Sequence, residues 1–300
     1  MTNKKPINLL FAATSDFLPY AVVTARSVAE NANGRPIVVH FMYADIVKPI
    51  SDAQRRIWVE MAGHSFDGLD VTLKFYDITD KIPLLDGQNV GVWGREISMT
   101  HYMYLVAPIV LPDTLDQIIY LDTDMVVNCD LSEMYDMNMD DKLIVMAAPS
   151  GLSIYPDMSN SGIVMFNLKQ WRAENTLDTL LEFGRNIPRC ALCDQHLLYQ
   201  YFTKSNPTRI ALVDKLYNAL PHYNDDKDIS ELKVIHYCGA TLPKPWRGNT
   251  DTHRILFLWW KYARKTAFYE KLIMDAIEYK RLKPRRHHHS FWWHLRHMKF

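Results

Sequence analysis

Ile118-Ile119-Tyr120-Leu121-Asp122-Thr123-Asp124-Met125-Val126-Val127 is an apolar run broken at its centre by two carboxylates. Residues 118–121 have the length and composition of a buried strand, and the strand runs straight into Asp122. Carboxylates between apolar neighbours are costly unless something positive compensates them. In extended backbone, residues two apart point the same way, so Asp122 and Asp124 can face one hard divalent cation. A polar turn after a strand is the plainer reading of the same residues.

Outward from this stretch the chain alternates two periodicities. Residues 7–13 form a continuous apolar run that reads as a buried strand. A helix is expected over 19–32, with Pro19 in its first turn and Val22, Ala25, Val28 and Ala29 on one face. Residues 37–43 read as a second strand, Ser51 as the cap of a helix running toward Gly63, and residues 71–76 as a third strand. Helical spacing returns over 98–109, 177–183 and 195–202, and residues 143–148 and 163–168 read as strands. Strands alternating with helices predict an α/β fold with a largely parallel sheet covered on both faces. Such sheets bind ligands at the carboxyl ends of their strands, which is where Asp16, Asp122 and Asp124 fall. After Trp246 the pattern becomes helical and aromatic-rich, so the expected organisation is a catalytic unit over 1–246 and a helical, basic segment over 247–300.

The composition suits a large core: 48% of the 300 residues are hydrophobic and 23% charged. Lys+Arg and Asp+Glu both number 34, and this balance argues against a nucleic-acid binder acting through bulk charge. The charge is segregated, however. From Arg281 onward there is no acidic residue, while Lys283, Arg285, Arg286, Arg296 and Lys299 stand among Phe291, Trp292, Trp293 and Phe300. That mixture suits an anionic lipid surface, each basic group contributing about 1 kcal/mol near it. No stretch has the apolar length of a membrane span, and the opening residues lack a signal peptide's apolar core, so the expected place is the cytoplasm. Cys129, Cys190, Cys193 and Cys238 do not make a disulfide framework, and Cys190-x-x-Cys193 reads as ordinary reduced thiols. Neither a Walker A loop nor a G-x-G-x-x-G is present.

Three further stretches carry candidate chemistry. Val234-Ile235-His236-Tyr237-Cys238-Gly239 ends an apolar run with an imidazole, which together with two carboxylates suits Mn²⁺ better than Ca²⁺. Lys244 follows, able to neutralise a diphosphate, while Gly239 permits close backbone approach. Asn160, in Asn160-Ser161-Gly162, offers both donor and acceptor atoms to sugar hydroxyls, or else is a turn residue. Asp194-Gln195 opens a helix, where an acidic side chain is also favoured simply as an N-cap.

Taken in order, FAATSDF, YLDTDMVV, NSGIVMFNLKQW, DQHLLYQYF and HYCG with its following KPW resemble glycosyltransferase family 8 over about residues 7–246. Bacterial lipo-oligosaccharide galactosyl- and glucosyltransferases are members, and glycogenin is a relative. The resemblance implies a GT-A fold, a UDP-sugar donor, Mn²⁺ (or Mg²⁺) and retention of anomeric configuration. By the same resemblance Asp122, Asp124 and His236 match the metal ligands, and Gly239 and Lys244 match the diphosphate contacts. Asn160 and Asp194 match positions that hold the donor sugar, Gln195 the position near the reacting carbon, and Ala12 and Asp16 the uridine contacts at the first strand's end. The chain departs from the family at Thr14, where an acidic residue is common, and at Tyr104, where a donor-binding arginine is usual. It departs again at His196, the third position of D-Q-D, and by two extra residues between Gly239 and Lys244. The expected activity is a hexosyl transfer to a saccharide or glycolipid acceptor in lipopolysaccharide-type synthesis, at the inner face of a bacterial membrane. The alternatives are a metal-dependent nucleotidyl- or phosphotransferase, and a non-catalytic sugar-nucleotide or glycan binder.

Overall fold

The computed structural model describes residues 4–88, 94–150, 155–188, 192–220, 228–238, 244–247 and 254–282. Its strands are β1 (Ile7–Ala13), β2 (Ile37–Tyr43), β3 (Val71–Asp77), β4 (Gln117–Leu121), β5 (Met125–Val127), β6 (Ile144–Ala147), β7 (Ile163–Asn167), β8 (Ile210–Val213) and β9 (Val234–His236). The α-helices are α1 (Leu18–Asn31), α2 (Asp52–His64), α3 (Arg95–Thr100), α4 (Ala107–Val110), α5 (Ser132–Tyr135), α6 (Leu168–Ala173), α7 (Thr176–Asn186), α8 (Cys193–Leu198), α9 (Arg254–Ala263) and α10 (Tyr269–Leu282).

Seven strands form one sheet in the order β3-β2-β1-β4-β7-β6-β8. All neighbours are parallel except β7, which runs antiparallel to both β4 and β6. Both faces are covered, which is why the strands read as unbroken apolar runs. Alternate residues divide between two cores: Leu9, Phe11, Ile119 and Leu121 pack with α1 and the C-terminal helices, while Leu10, Ala12, Ile118 and Tyr120 pack against residues 102–107 and Trp171. Beyond Leu121 the chain leaves this sheet and forms a two-stranded antiparallel one, in which β5 pairs with β9.

The expected strands at 7–13 and 37–43 match β1 and β2, and the Ser51 hydroxyl accepts the Gln54 amide at 3.1 Å as the cap of α2. The single helix expected over 98–109 is instead α3, a 3₁₀ turn Met103–Val106 and α4. Pro108 lacks the N–H that a continuous helix would need there, and it sits in the first turn of α4. The helix expected over 195–202 is α8 running into a π-helical turn, Tyr199–Ser205.

Helices α9 and α10 bury Trp259, Tyr262, Phe268 and Leu272 in the same core as β1 and α1. Tyr262 accepts a hydrogen bond from Asn31 of α1 at 3.0 Å, and Trp246 packs on Tyr20 with ring centroids 4.4 Å apart. Among the described residues, no helix is long and apolar enough to cross a membrane. Gly239, Cys190 and the basic, aromatic tail over 283–300 lie outside the described residues.

Candidate functional site

Leu121 ends β4, and the chain turns through Asp122-Thr123-Asp124 into β5. The turn is fixed from both sides: the Asp122 amide donates to the Gly162 carbonyl at 2.8 Å, and the Asp124 carbonyl accepts the Tyr237 amide at 2.9 Å. In the small sheet Met125 pairs with His236, which delivers the imidazole from more than a hundred residues away to the carboxylate pair. His236 Nε2 lies 3.1 Å from Asp124 Oδ1 and 3.3 Å from Asp122 Oδ2. One donor atom from each of the three residues falls within 4.8 Å of the others, a set that can hold a metal ion.

Gly162 makes this packing possible. A Cβ there would lie 2.4 Å from His236 Cε1 and 2.6 Å from Nδ1, inside contact distance, so a side chain and the imidazole compete for one space. The other ring nitrogen, Nδ1, is 2.9 Å from Asn218 Oδ1.

Charge in the group is strongly biased. Burial would raise the Asp124 carboxyl, but His236 and Lys244 beside it outweigh that and hold it far below the usual carboxylate range. Burial would likewise lower His236, and the neighbouring Cys238, Asp124 and Asp122 instead hold it well above an ordinary histidine. The Lys244 ammonium pairs with Asp124 and donates to the Tyr237 carbonyl at 2.7 Å. In this arrangement imidazolium and ammonium supply the positive charge that a carboxylate pair demands.

A third carboxylate joins the pair through two tyrosines. Asp194, expected to hold the donor sugar or else simply to cap its helix, lies inside α8 after the N-cap Leu192, and its side chain accepts the Tyr104 hydroxyl at 2.8 Å. Burial pushes Asp194 up to about 6, opposed by His101 and the Tyr104 hydrogen bond. Tyr104 stacks on Tyr120, centroids 4.2 Å apart, and the Tyr120 hydroxyl donates to Asp122 Oδ1 at 2.5 Å. Two stacked phenols thus support both carboxylates from below. Asn160 donates to Gln195 Oε1 at 2.9 Å, joining two more of the expected residues.

The first strand's end forms its own group. Ala12 is buried, and the Thr14 hydroxyl donates to Asp16 at 2.5 Å. The neighbouring Ser15 donates to Asp45, which Arg55 of α2 holds at 2.7 Å. Sequence reasoning missed Asn218, Gly162 and Tyr120, each of which supports a residue it did find.

Comparison with known proteins identifies the family and the fold. Residues 8–250 match the family described as glycosyl transferase family 8. The lipopolysaccharide 1,2-glucosyltransferase of Escherichia coli K12 is 29% identical over 189 residues, covering 56% of this chain and 53% of that one. The lipopolysaccharide 1,3-galactosyltransferase of Salmonella typhimurium is 24% identical over 171 residues, 49% of each chain. The chain spans only 26% and 37% of the length of two longer streptococcal glycosyltransferases that it also matches. A solved structure of galactosyltransferase LgtC with donor and acceptor sugar analogues superposes with a TM-score of 0.66 at 21% identity, over 87% of this chain and 96% of that one. The fold is accordingly of GT-A type. The family match runs through every strand and turn that builds the group around Asp122, and the protein belongs to glycosyltransferase family 8.

Proposed function

We propose that the protein moves a hexose, galactose or glucose, from a UDP-sugar to a saccharide or glycolipid acceptor of the lipopolysaccharide type, with retention of configuration. The convergence of Asp122, Asp124 and His236 within a family 8 chain carries this reading. The donor set fits Mn²⁺, and Mg²⁺ is also admissible: two hard carboxylates and an imidazole meet where glycine leaves room for the ring. A divalent cation held there would supply Lewis-acid neutralisation to the donor's diphosphate.

The chain's own groups supply the rest. Lys244, next to the carboxylates, adds a point charge for the diphosphate, and Gly239 is the expected backbone contact by resemblance to the family. Asn160 and Asp194 offer acceptors and donors for sugar hydroxyls, and Ala12, Thr14 and Asp16 stand at the strand end where the uridine would lie. Gln195 is a poor nucleophile, and Asp194 is assigned to the sugar hydroxyls rather than to the reacting carbon. The acceptor hydroxyl therefore attacks from the leaving-group face: its oxygen bonds to the sugar carbon as the carbon–phosphate-oxygen bond breaks, and its proton passes to the departing phosphate oxygen. The tail over 283–300 docks the enzyme on an anionic membrane surface beside its acceptor.

The test is release of UDP from UDP-galactose and UDP-glucose with Mn²⁺, repeated in EDTA. Turnover that stops on chelation and returns with Mn²⁺ is expected. Undiminished turnover in EDTA rules out the cation's role, and sugar phosphate in place of UDP would identify a phosphotransferase.

A further inference from the structure

One hydrogen-bond chain runs behind the carboxylate pair and joins both halves of the site. Asn218 stands at the end of a 3₁₀ turn, Lys215–Asn218, and is 5% exposed. Its Oδ1 faces His236 Nδ1 at 2.9 Å, and its Nδ2 donates to Asn160 Oδ1 at 2.8 Å and to the Asn160 carbonyl at 3.1 Å. Asn160 Oδ1 also accepts the Gly162 amide at 2.9 Å, while Asn160 Nδ2 donates to Gln195 Oε1 at 2.9 Å.

Side-chain amides usually leave their oxygen and nitrogen ends ambiguous, but here backbone groups fix every direction. A carbonyl only accepts, so the Asn218 atom facing the Asn160 carbonyl must be nitrogen, and Oδ1 must face His236. His236 Nδ1 then carries a hydrogen. A backbone N–H only donates, so the Asn160 atom facing Gly162 must be oxygen, and its nitrogen must face Gln195. Gln195 then presents its Oε1 to Asn160.

We infer that Asn218 is a positioning residue that sets the polarity of this whole chain: it aims the Nε2 face of His236 at Asp122 and Asp124, and through Asn160 it holds the Gln195 amide in one orientation. The inference rests on the proposed cation site and assigns the supporting contact that such ligands need. Partners of this kind are worth about 10- to 100-fold in metal affinity.

Two substitutions separate the two ends of the bridge. Asn218→Asp keeps an oxygen for His236 but loses the donor to Asn160, whereas Asn218→Leu loses both. Each full-length variant is first compared with wild type by melting temperature, then titrated with Mn²⁺ alone by calorimetry, then assayed for UDP release. Asn218→Leu is expected to weaken Mn²⁺ binding about 10- to 100-fold. Asn218→Asp is expected to bind Mn²⁺ within threefold of wild type, yet to lose at least about tenfold in kcat because Gln195 is no longer held. A Leu variant that binds Mn²⁺ like wild type overturns the inference alone. Equal losses of Mn²⁺ affinity in both variants also overturn it, since they would reduce Asn218 to a packing residue. A wild-type chain that binds no Mn²⁺ overturns the cation reading itself, so the two failures are distinguishable.

Discussion

Gly162→Ala tests whether the imidazole is held by contact. The backbone at Gly162 is not left-handed, so alanine incurs no conformational penalty and gains about 0.4–1 kcal/mol by restricting the unfolded chain. Its methyl group would lie 2.4 Å from His236 Cε1 and 2.6 Å from Nδ1 and from Met125 Cε. Comfortable carbon contacts are about 3.5–4.0 Å, so the ring must retreat by roughly 1 Å. His236 is 1% exposed and bonded at 2.9 Å to Asn218, so a retreat on that scale strains or breaks the bond. Overpacking of this kind costs about 1–3 kcal/mol, leaving a net loss of about 0–2.5 kcal/mol after the backbone gain. At about 2–4 °C per kcal/mol, the melting point should fall by up to several degrees. Function should suffer more, because a displacement of about 1 Å in a reacting site can cost roughly 100-fold in rate. Differential scanning calorimetry and UDP release measure the two effects. A variant with turnover within twofold of wild type would show that the imidazole moves aside freely, and the argument from close packing would be refuted.

Three other outcomes are expected. Burial, with Lys74 nearby, pushes His40 down to about 4, between Asn8 Oδ1 at 3.1 Å and the Tyr76 hydroxyl at 3.0 Å. The folded chain therefore binds fewer protons than the unfolded one between about pH 6.5 and 4, so stability falls by about 3 kcal/mol as pH drops through that window. Asp194 contributes the opposite slope over part of this window, so the check is the stability difference between wild type and His40→Gln in urea titrations, which should change by about 3 kcal/mol between pH 6.5 and 4; a pH-independent difference counts against it. Asp194, raised to about 6 by burial, has the opposite sign: the native state binds the extra proton, and stability is lost as pH rises from about 4 to about 6. Asp194→Asn should thus melt higher at pH 8 while transferring less sugar; a lower melting point would contradict the account. The full-length chain should co-sediment with anionic but not with neutral liposomes, truncation at Lys280 should abolish the anionic binding, and equal binding by both forms would remove the tail's proposed role.

The readable parts of this molecule were those in which one residue's type and its neighbours carry the information. β1 and β2 are buried on both sides, so their boundaries follow from where apolar residues stop. Asp122 and Asp124 stand out because charge interrupts that pattern, and His236 because it ends β9. The reversed direction of β7 leaves no trace, since parallel and antiparallel strands buried on both faces look alike. Asn218 reads as an ordinary turn residue until His236 lies beside it, and Gly162 reads as a glycine before a strand until an imidazole fills the space above it. Asp194 shows the limit most sharply: its position at a helix start favours capping, and only the tertiary neighbour Tyr104 redirects it. Thr14, where the family commonly has an acidic residue, bonds locally to Asp16.

The smallest sheet carries the greatest positional responsibility. β5 and β9 are three residues each, too short to define their own alignment, and sliding one past the other by a single residue would turn the imidazole to the opposite face. What prevents this is that β9 is gripped along both edges. Asp124 and Asn128 bond it on one side through Tyr237 and Lys233, and Ala219 bonds it on the other through Val234 and His236. The loop that ends in Asn218 is therefore also part of the clamp, so changes of length between β8 and β9 should be tolerated only where they leave that double grip intact, however far from the carboxylates they fall.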